Sequence, residues 1–318
     1  MKKIEKKIVA ILGPTATGKT NLAIQLIQKY PFEIISVDSA MVYQTMDIGT
    51  AKPSPEELKL APHHLINCCP PDQIYSVADF CRDANIKIQE IFSRNKLPLL
   101  VGGTMMYFNA LKNGLSNLPS RDENLRAEFL KILNQEGLGS LFNLLKNLDP
   151  KAAERIKPQD TQRIIRALEI FKLSGKSMFD PDLNMEKSSQ KLQYPLCAIG
   201  LITQDLEWQK INIKNRFLNM LEQGLIQEVK ELKNQFNLNQ DLPSMRSVGY
   251  RQVWDYLDQK LNYDQMIERS LIATAQLAKR QRTWLRSFDW VELLDPRDLN
   301  LLDQVCSKID SHLSSPAS

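Results

Sequence analysis

Short apolar runs alternate with longer segments of helical periodicity along most of the chain. Continuous runs of about four to eight apolar residues are typical of buried parallel strands, whereas apolar residues spaced three and four apart are typical of amphipathic helices. On this basis we predict strands at 7–12, 32–37, 97–101, 195–201 and 288–293. We predict the main helices between them at 18–29, 76–94, 206–223 and 263–287.

The stretch from 120 to 192 differs from the rest because it contains helical patterns and no convincing strand. Its predicted helices cover 122–136, 139–148, 151–155 and 160–173. Gly and Pro residues separate these helices, as they do at helix ends generally. The polar segment at 184–190 predicts a surface loop, and the tail at 314–318 predicts disorder.

A glycine-rich motif lies between the first predicted strand and the first predicted helix. It has the form G-x-x-x-x-G-K-T and consists of Gly13, Pro14, Thr15, Ala16, Thr17, Gly18, Lys19 and Thr20. Glycine lets the backbone turn tightly, so that several N–H groups face one anion, and the start of a helix adds partial positive charge. Lys19 adds a mobile cation, and the Thr20 hydroxyl can ligate Mg²⁺. The motif predicts a site for phosphate or diphosphate without identifying a nucleotide.

The position of this motif indicates the fold class. A strand, a phosphate-binding loop and a helix, in that order, begin an α/β fold of the P-loop NTPase-like type. We therefore predict a three-layer parallel sheet with a helical insertion domain. The core is expected to comprise 1–119 and 193–318, ending in a basic helix, and the insertion to comprise 120–192.

Polar residues follow two of the predicted strands. Asp38 follows the strand at 32–37, and Thr104 follows Gly102 and Gly103 after the strand at 97–101. Ligands gather at the carboxyl ends of strands in open α/β sheets, which favours a functional role. A capping or turn role explains Asp38 equally well, and a capping role explains Thr104 equally well. The local sequence leaves these alternatives open.

The adjacent pair His63 and His64 invites a metal interpretation. Adjacent side chains point in different directions on a helix or strand, and no third ligand is near in sequence. A structural or capping role is therefore favoured for both histidines.

Basic residues cluster in three places. Arg155, Arg163 and Arg166 fall near one face of the helical pattern in the insertion, where a solvated face is the favoured interpretation. A compact polar turn at 246–251 places two arginines beside an aromatic residue. The end of the last long helix, at 279–286, interleaves basic residues with Trp284. Complementing the helix dipole would not need so many charges, so RNA binding is favoured for this helix.

Composition adds little that is specific. Hydrophobic residues make up 43% of the chain and charged residues 25%, as in ordinary soluble proteins, and 41 Lys and Arg against 37 Asp and Glu give a net charge of +4. The five cysteines form no C-x-x-C pair, which disfavours a zinc site or a disulfide framework and favours a reducing cytoplasm. No run approaches the ~20 apolar residues of a membrane span, so we expect no membrane association.

Taken together, six segments resemble the bacterial tRNA dimethylallyltransferases, and the resemblance extends from about residue 7 to 293. These segments are 13–20, 38–39, 46–53, 102–104, 246–251 and 279–284. The resemblance implies transfer of a dimethylallyl group from dimethylallyl diphosphate to the N6 amine of the adenosine next to the anticodon, on its 3′ side, with release of diphosphate. It implies the tRNA anticodon stem-loop as partner, Mg²⁺ at Thr20, and a monomeric enzyme of the cytoplasm.

The resemblance also implies roles for individual residues. Asp38 would be the general base, while Thr104 and Arg216 would reach the diphosphate held by the loop at 13–20. The implied RNA contacts lie in segments near these residues, in the insertion and in the last long helix. They are Asp38, Ser39, Ala40, Met41, Thr104, Arg126, Gln162, Arg163, Ile164, Ile165, Arg166, Arg246, Ser247, Val248, Gly249, Tyr250, Arg251, Lys279, Arg280, Gln281, Arg282, Thr283, Trp284, Leu285 and Arg286.

Two other functions compete with this one. A small-molecule P-loop kinase would use ATP, with Asp38 as base toward a substrate hydroxyl. It is disfavoured because the strand at 97–101 runs into Gly102 and Gly103 rather than an acidic Mg²⁺ ligand. A non-catalytic RNA-binding protein would use the glycine-rich loop only for an RNA phosphate.

Overall fold

A computed structural model describes residues 5–116, 118–185 and 191–315. The described residues form two compact units. One unit comprises the chain up to Leu111 and from Leu192 onward, and the other lies within Lys112–Lys191. The helical unit therefore begins eight residues before the insertion expected from the sequence.

The first unit is built on a six-stranded sheet in which every pair of neighbours is parallel. The strands are β1 (Ile8–Leu12), β2 (Phe32–Val37), β3 (His63–His64), β4 (Leu97–Gly102), β5 (Leu196–Leu201) and β6 (Glu292–Leu294). Their order across the sheet is β3-β2-β4-β1-β5-β6. All five residues of β1 are buried, as expected for a central parallel strand covered on both faces. The predicted α/β fold class is confirmed.

Helices cover the sheet and extend the unit beyond it. They are α1 (Lys19–Lys29), α2 (Pro55–Leu60), α3 (Val77–Ser93), α4 (Met105–Asn113), and, after the second unit, α10 (Leu206–Glu222), α11 (Leu225–Gln235), α12 (Tyr250–Leu257), α13 (Tyr263–Arg286) and α14 (Leu301–Ser314). One apolar cluster joins the sheet to α1 and α14. A second cluster packs the segment after β2 against α10, α11 and α12. This second cluster fixes a long irregular segment beside the carboxyl edge of the sheet. Within the described ranges, no helix is both long and apolar enough to cross a membrane.

The second unit is entirely helical in the part that the structure describes. Its helices are α5 (Glu123–Glu136), α6 (Leu138–Leu148), α7 (Pro150–Arg155), α8 (Thr161–Ser174) and α9 (Pro181–Met185). Carboxylates cap three of them, because Asp122, Asp149 and Asp160 each accept a hydrogen bond from a first-turn N–H. Apolar residues of α5, α6, α7 and α8 form the unit's own core.

The predicted strand at 288–293 is largely wrong. Phe288 and Trp290 stack on one another with ring centroids 4.8 Å apart, and only Glu292–Leu294 pairs with β5. Aromatic residues have high strand propensity, but here their packing prevails over pairing. The patterns did not predict α11 or α12, nor α14, which occupies 301–314. Most of the expected loop at 184–190, and all but the first two residues of the expected disordered tail, lie outside the described residues.

Two glycines of the sheet offer a test of this packing. A Cβ on Gly102 would meet backbone atoms of Val37 in the neighbouring strand, its carbonyl carbon at 2.5 Å, whereas a Cβ on Gly200 would meet only ends of side chains, the nearest at 2.8 Å. We expect Gly102→Ala to lower the free energy of unfolding by about 3 kcal/mol or more and Gly200→Ala by about 1 kcal/mol. Urea unfolding of both variants measures this, and equal losses would contradict the described register.

Candidate active site

A pocket of about 680 Å³ opens at the carboxyl edge of the sheet. Its walls come from the glycine-rich loop, the segment after β2, the start of α4, and side chains of α10 and α13. Lys19, Thr20, Asp38, Thr104 and Arg216, which are distant in sequence, all line it. The structure thus brings together the three residues that the sequence proposed for catalysis and four of the eight proposed to hold phosphate, which are Thr15, Ala16, Lys19 and Thr20.

The glycine-rich loop is closed by hydrogen bonds to its own carbonyl groups. The Thr17 hydroxyl donates to the Pro14 carbonyl at 2.9 Å, and the Lys19 ammonium donates to the same carbonyl at 2.6 Å. Gly18 precedes α1 with a φ of +80°, a conformation that side chains other than glycine rarely adopt. The loop therefore reaches the first turn of α1, where unpaired N–H groups favour an anion.

Two cations share this end of the pocket. Burial, and then the nearby Arg216, lower the pKa of Lys19 to about 7, while Asp38 opposes the shift. Burial also lowers the pKa of Arg216, again with Asp38 opposing. An anion bound here would relieve the repulsion and favour protonated Lys19.

Asp38 and Thr104 lie side by side because β2 and β4 are neighbours. Asp38 Oδ1 accepts hydrogen bonds from the N–H groups of Ala40 at 2.8 Å and Met41 at 3.3 Å. The Ser39 N–H donates to Thr104 Oγ1 at 3.0 Å. Asp38 is thus a turn-forming residue, one of the alternatives the sequence left open, and it also lines the pocket. Its Oδ2 takes part in neither turn bond, so the two roles are compatible.

Arg216 connects two loops at the pocket. Its Nη1 donates to the Thr15 hydroxyl at 3.2 Å, and its Nη2 donates to the Thr50 carbonyl at 3.4 Å. The Thr50 hydroxyl in turn donates to the Met46 carbonyl at 2.6 Å, which closes the loop at 46–50 on itself. The guanidinium is therefore fixed by the glycine-rich loop and by the loop at 46–50.

Sequence reasoning missed Glu228 on α11. Its carboxylate accepts the N–H groups of Asp47 at 2.9 Å, Ile48 at 2.7 Å and Gly49 at 3.1 Å, and the Tyr250 hydroxyl donates to it at 2.6 Å. Four donors on one carboxylate hold the loop at 46–50 against the helices behind it. No local motif marks Glu228. The segment at 46–53 entered the sequence analysis only through the family resemblance, which does not point to its partner on α11.

The end of α13 forms another wall of the pocket. Arg280, Gln281 and Trp284 line it. Gln281 Oε1 accepts the Thr15 N–H at 2.9 Å, and its Nε2 donates to the Gly103 carbonyl at 2.8 Å. Arg246, Ser247 and Val248 also border the pocket.

Five residues named as RNA contacts are buried, which contradicts that role. Ile164 and Ile165 belong to the core of the second unit, Leu285 packs inside the first unit, and Tyr250 and Gly249 are buried beside α11. Each belongs to a continuous segment that was assigned to RNA as a whole. Because side chains on a helix point in all directions around its axis, some residues of any such segment face the protein interior. These assignments were therefore wrong, because whole segments were assigned rather than their exposed faces.

In the second unit the expected RNA contacts divide into two kinds. Gln162 and Arg163 are exposed on α8. Arg166 pairs with the fully buried Glu169 at 3.0 Å, and Arg126 lies 3.7 Å from the same carboxylate. Arg166 and Arg126 thus neutralise a buried charge, which a purely solvated face would not do.

The histidine pair has partners within the protein. His64 Nε2 lies 2.8 Å from Glu33 Oε2, and His63 Nδ1 lies 2.6 Å from the Ala61 carbonyl oxygen. Among residues 5–116, 118–185 and 191–315, no group of three or more His, Cys, Asp or Glu is placed to hold a metal ion.

Comparisons with known proteins agree on one family. A family model described as IPP transferase matches residues 41–288, and one described as isopentenyl transferase matches residues 6–67. A protein named tRNA dimethylallyltransferase, from Vesicomyosocius okutanii subsp. Calyptogena okutanii (strain HA), is 47% identical over 296 residues, covering 93% of this chain and 96% of that protein.

Solved structures give the same result. The crystal structure of the full-length tRNA isopentenylpyrophosphate transferase from Bacillus halodurans is 37% identical, with a TM-score of 0.70 over 97% of both chains. A eukaryotic dimethylallyltransferase, captured in crystallographic snapshots acting on tRNA, is 30% identical, with a TM-score of 0.76 over 96% of this chain and 78% of that one.

The shifted pKa of Lys19 predicts how anion binding depends on pH. Because that pKa is lowered to about 7, the ammonium is charged below this value and loses its proton as pH rises through it. Above pH 7 the Kd for inorganic diphosphate should therefore increase with pH more steeply in the parent than in Lys19→Arg, whose guanidinium stays protonated. The difference between the two slopes should reach about tenfold in Kd per pH unit. Calorimetric titration across this range measures both slopes. Ionisation of the ligand affects both proteins equally, so identical slopes would contradict a titrating Lys19 at the site.

The contacts of Glu228 predict a loss of both stability and anion binding. In Glu228→Gln the amide nitrogen cannot accept a backbone N–H, so the loop at 46–50 and its contact with Arg216 should loosen. We expect the free energy of unfolding to fall by about 2 kcal/mol and the Kd for inorganic diphosphate to rise. Thermal unfolding and calorimetry test this. Glu231→Gln, an exposed position on the same helix, should change neither, and similar losses in both variants would refute the role.

Proposed function

The chain belongs to the IPP transferase family, and we propose that its pocket transfers a dimethylallyl group from dimethylallyl diphosphate to the N6 amine of the adenosine 3′-adjacent to the anticodon in tRNA. Prenylation of tRNA is the activity of the family, and it makes the chain a transferase that modifies tRNA. The observation that supports this pocket as its site is the placement of Lys19, Asp38 and Trp284 around one cavity. An anion site, a carboxylate and an aromatic surface for a base are what this reaction requires.

The reaction forms one bond and breaks one. The N6 nitrogen attacks C1 of the dimethylallyl group, the bond from C1 to the diphosphate oxygen breaks, and its electron pair leaves with the diphosphate. The nitrogen then loses a proton. The protein must stabilise charge on the leaving group, orient the amine and accept that proton.

The leaving group would lie on the glycine-rich loop. Lys19 and Arg216 provide positive charge in the pocket. Their attraction to the leaving oxygen strengthens as that oxygen becomes anionic. Thr104 reaches the same cavity from the start of α4. Because the loop is closed by its own hydrogen bonds, it needs little reorganisation as charge develops.

Asp38 is the proposed base. Two bonds from the Ala40 and Met41 N–H groups hold Oδ1, so the carboxylate cannot rotate freely. Oδ2, which takes part in neither bond, would accept the hydrogen bond from N6 and then its proton. An exocyclic amine is a weak nucleophile, and its orientation in a narrow cavity contributes to the rate along with proton removal.

The RNA would approach over the end of α13. Arg280 and Trp284 are exposed residues that line the pocket, and Arg286 is exposed two residues after Trp284. Removing a base from the stack of the anticodon loop costs a few kcal/mol of free energy. Stacking of that base on an aromatic side chain offsets part of this cost. Exposed arginines beside it would contact backbone phosphates.

The residues present fit Mg²⁺ with the diphosphate as its main ligand. Mg²⁺ typically takes one or two protein oxygens and completes its shell with substrate phosphate oxygens and water. The Thr20 hydroxyl, beside Lys19 in the wall of the pocket, is such an oxygen. The ion would supply charge stabilisation at the diphosphate.

The kinase alternative is not supported. The relatives named above are tRNA-modifying transferases, and a small phosphoryl acceptor would not need Arg280 and Trp284 in the pocket wall. We propose a monomer, as the resemblance of the sequence implies, and we expect activity in the cytoplasm, where tRNA is abundant.

A transfer assay tests this function directly. Label from dimethylallyl diphosphate should enter tRNA in the presence of the protein, and nucleoside analysis should place it on N6 of the adenosine beside the anticodon. Label from the γ-phosphate of ATP should not be transferred. Absence of prenyl transfer to any tRNA would overturn the proposal.

The turn at Asp38 predicts a clean separation of chemistry from binding. In Asp38→Asn the amide oxygen can still accept the Ala40 N–H, so the local fold should persist, but the side chain can no longer take a proton. We expect kcat to fall by about 10²–10⁴-fold, with the KM for tRNA changed little. Single-turnover rates at saturating tRNA measure this. Asp264→Asn, exposed at the start of α13, is the charge-matched control, and a parental rate in Asp38→Asn would remove Asp38 as base.

A further inference from the structure

We propose that Gln209 and Arg282 are positioning residues for the diphosphate loop, and that Arg282 acts through Gln209 rather than on an RNA phosphate. The inference rests on the proposed function, because it assigns the glycine-rich loop to a diphosphate. Gln209 lies on α10, two helical turns before Arg216, and carries no motif that sequence analysis recognised.

Thr15 is the residue that the two helices hold. Its N–H donates to Gln281 Oε1 at 2.9 Å, its carbonyl accepts from Gln209 Nε2 at 3.1 Å, and its hydroxyl accepts from Arg216 Nη1 at 3.2 Å. All three polar groups of one loop residue are thus bonded to side chains of α10 and α13. Thr15 also lines the pocket, so its position shapes the anion site.

Gln209 is suited to a fixed role because it is buried. The residue is only 2% exposed, and a buried amide without partners is costly. Both of its ends have partners, since Nε2 donates to the Thr15 carbonyl and Oε1 accepts from Arg282 Nη1. If the Gln209 amide were reversed, its NH₂ group would face the Arg282 guanidinium, and two donors would oppose each other. Arg282 therefore keeps the NH₂ group directed at the Thr15 carbonyl in the glycine-rich loop.

The environment of Arg282 differs from that of its basic neighbours. Its side chain is partly buried, whereas Lys279, Arg280 and Arg286 are exposed. Burial, followed by the charge of Arg286, lowers the pKa of Arg282. A guanidinium turned inward onto a buried amide is poorly placed to reach an RNA backbone, while exposed Arg286 is well placed for it.

Matched variants separate the two roles of α13. Gln209→Met keeps the approximate volume and removes both hydrogen bonds, and Arg282→Ala removes the partner. We expect each to raise the Kd for inorganic diphosphate about three- to tenfold, and the double variant to match the worse single one, because both act on one chain of contacts. Gln227→Met, an exposed glutamine on α11, should bind as the parent does.

RNA binding provides the opposite readout. Arg286→Ala should make the negative slope of log K against log salt shallower by about one unit for binding of an anticodon stem-loop, with the diphosphate Kd unchanged. Arg282→Ala should leave that slope unchanged. The inference is overturned if Arg282→Ala makes the salt slope shallower and leaves diphosphate binding intact. It is also overturned if the losses of diphosphate affinity in Gln209→Met and Arg282→Ala simply add in the double variant. Should Gln209→Met fail to fold, Arg282→Ala and Arg282→Lys still decide, since the lysine should partly restore diphosphate binding through Gln209.

These measurements do not depend on transfer activity. If the parent fails to prenylate any tRNA, the proposed function is wrong, and the diphosphate titrations still report whether Gln209 and Arg282 hold the loop.

Discussion

Lys19 and Arg216 both line one pocket, and the cost of burying two cations there is the constraint on which the rest of the site depends. Each of the two has its pKa lowered by burial, and Asp38 is the acidic group that opposes both shifts. Such an arrangement costs stability until an anion arrives. The fold must therefore hold both cations by rigid contacts, and the sheet edge with its surrounding helices provides them.

Hydrogen bonds from remote side chains do most of this positioning. The loop at 46–50 has no regular secondary structure, yet Glu228 holds three of its consecutive N–H groups. Thr15 is held similarly by Gln209, Gln281 and Arg216. Preorganised donors stabilise developing charge only if they do not move. Polar side chains that do not contact the substrate can thus hold in place the side chains that do contact it.

The sequence predicted the central fold well because its signals are local. A buried strand, a glycine-rich turn and an amphipathic helix each depend on neighbouring residues, and the strand at 32–37 was predicted to the residue. Glu228 and Gln209 could not be found this way, since the loop residues that they hold lie 179 or more residues away in the chain. Buried Tyr250 and Leu285 were assigned to RNA for the complementary reason, that a linear motif does not tell which of its members face inward.

In the proposed function, the end of α13 serves both substrates. Ala278 and Leu285 are buried seven residues apart and anchor the helix in the unit. Gln281 and Arg282 lie between them and point toward the glycine-rich loop and Gln209. Arg280, Trp284 and Arg286 occupy the exposed side. One side of this turn contacts the glycine-rich loop. If the other side contacts the RNA as proposed, the helix sets the distance between the leaving group and the incoming base, and such positioning is what a reaction between two bound substrates requires.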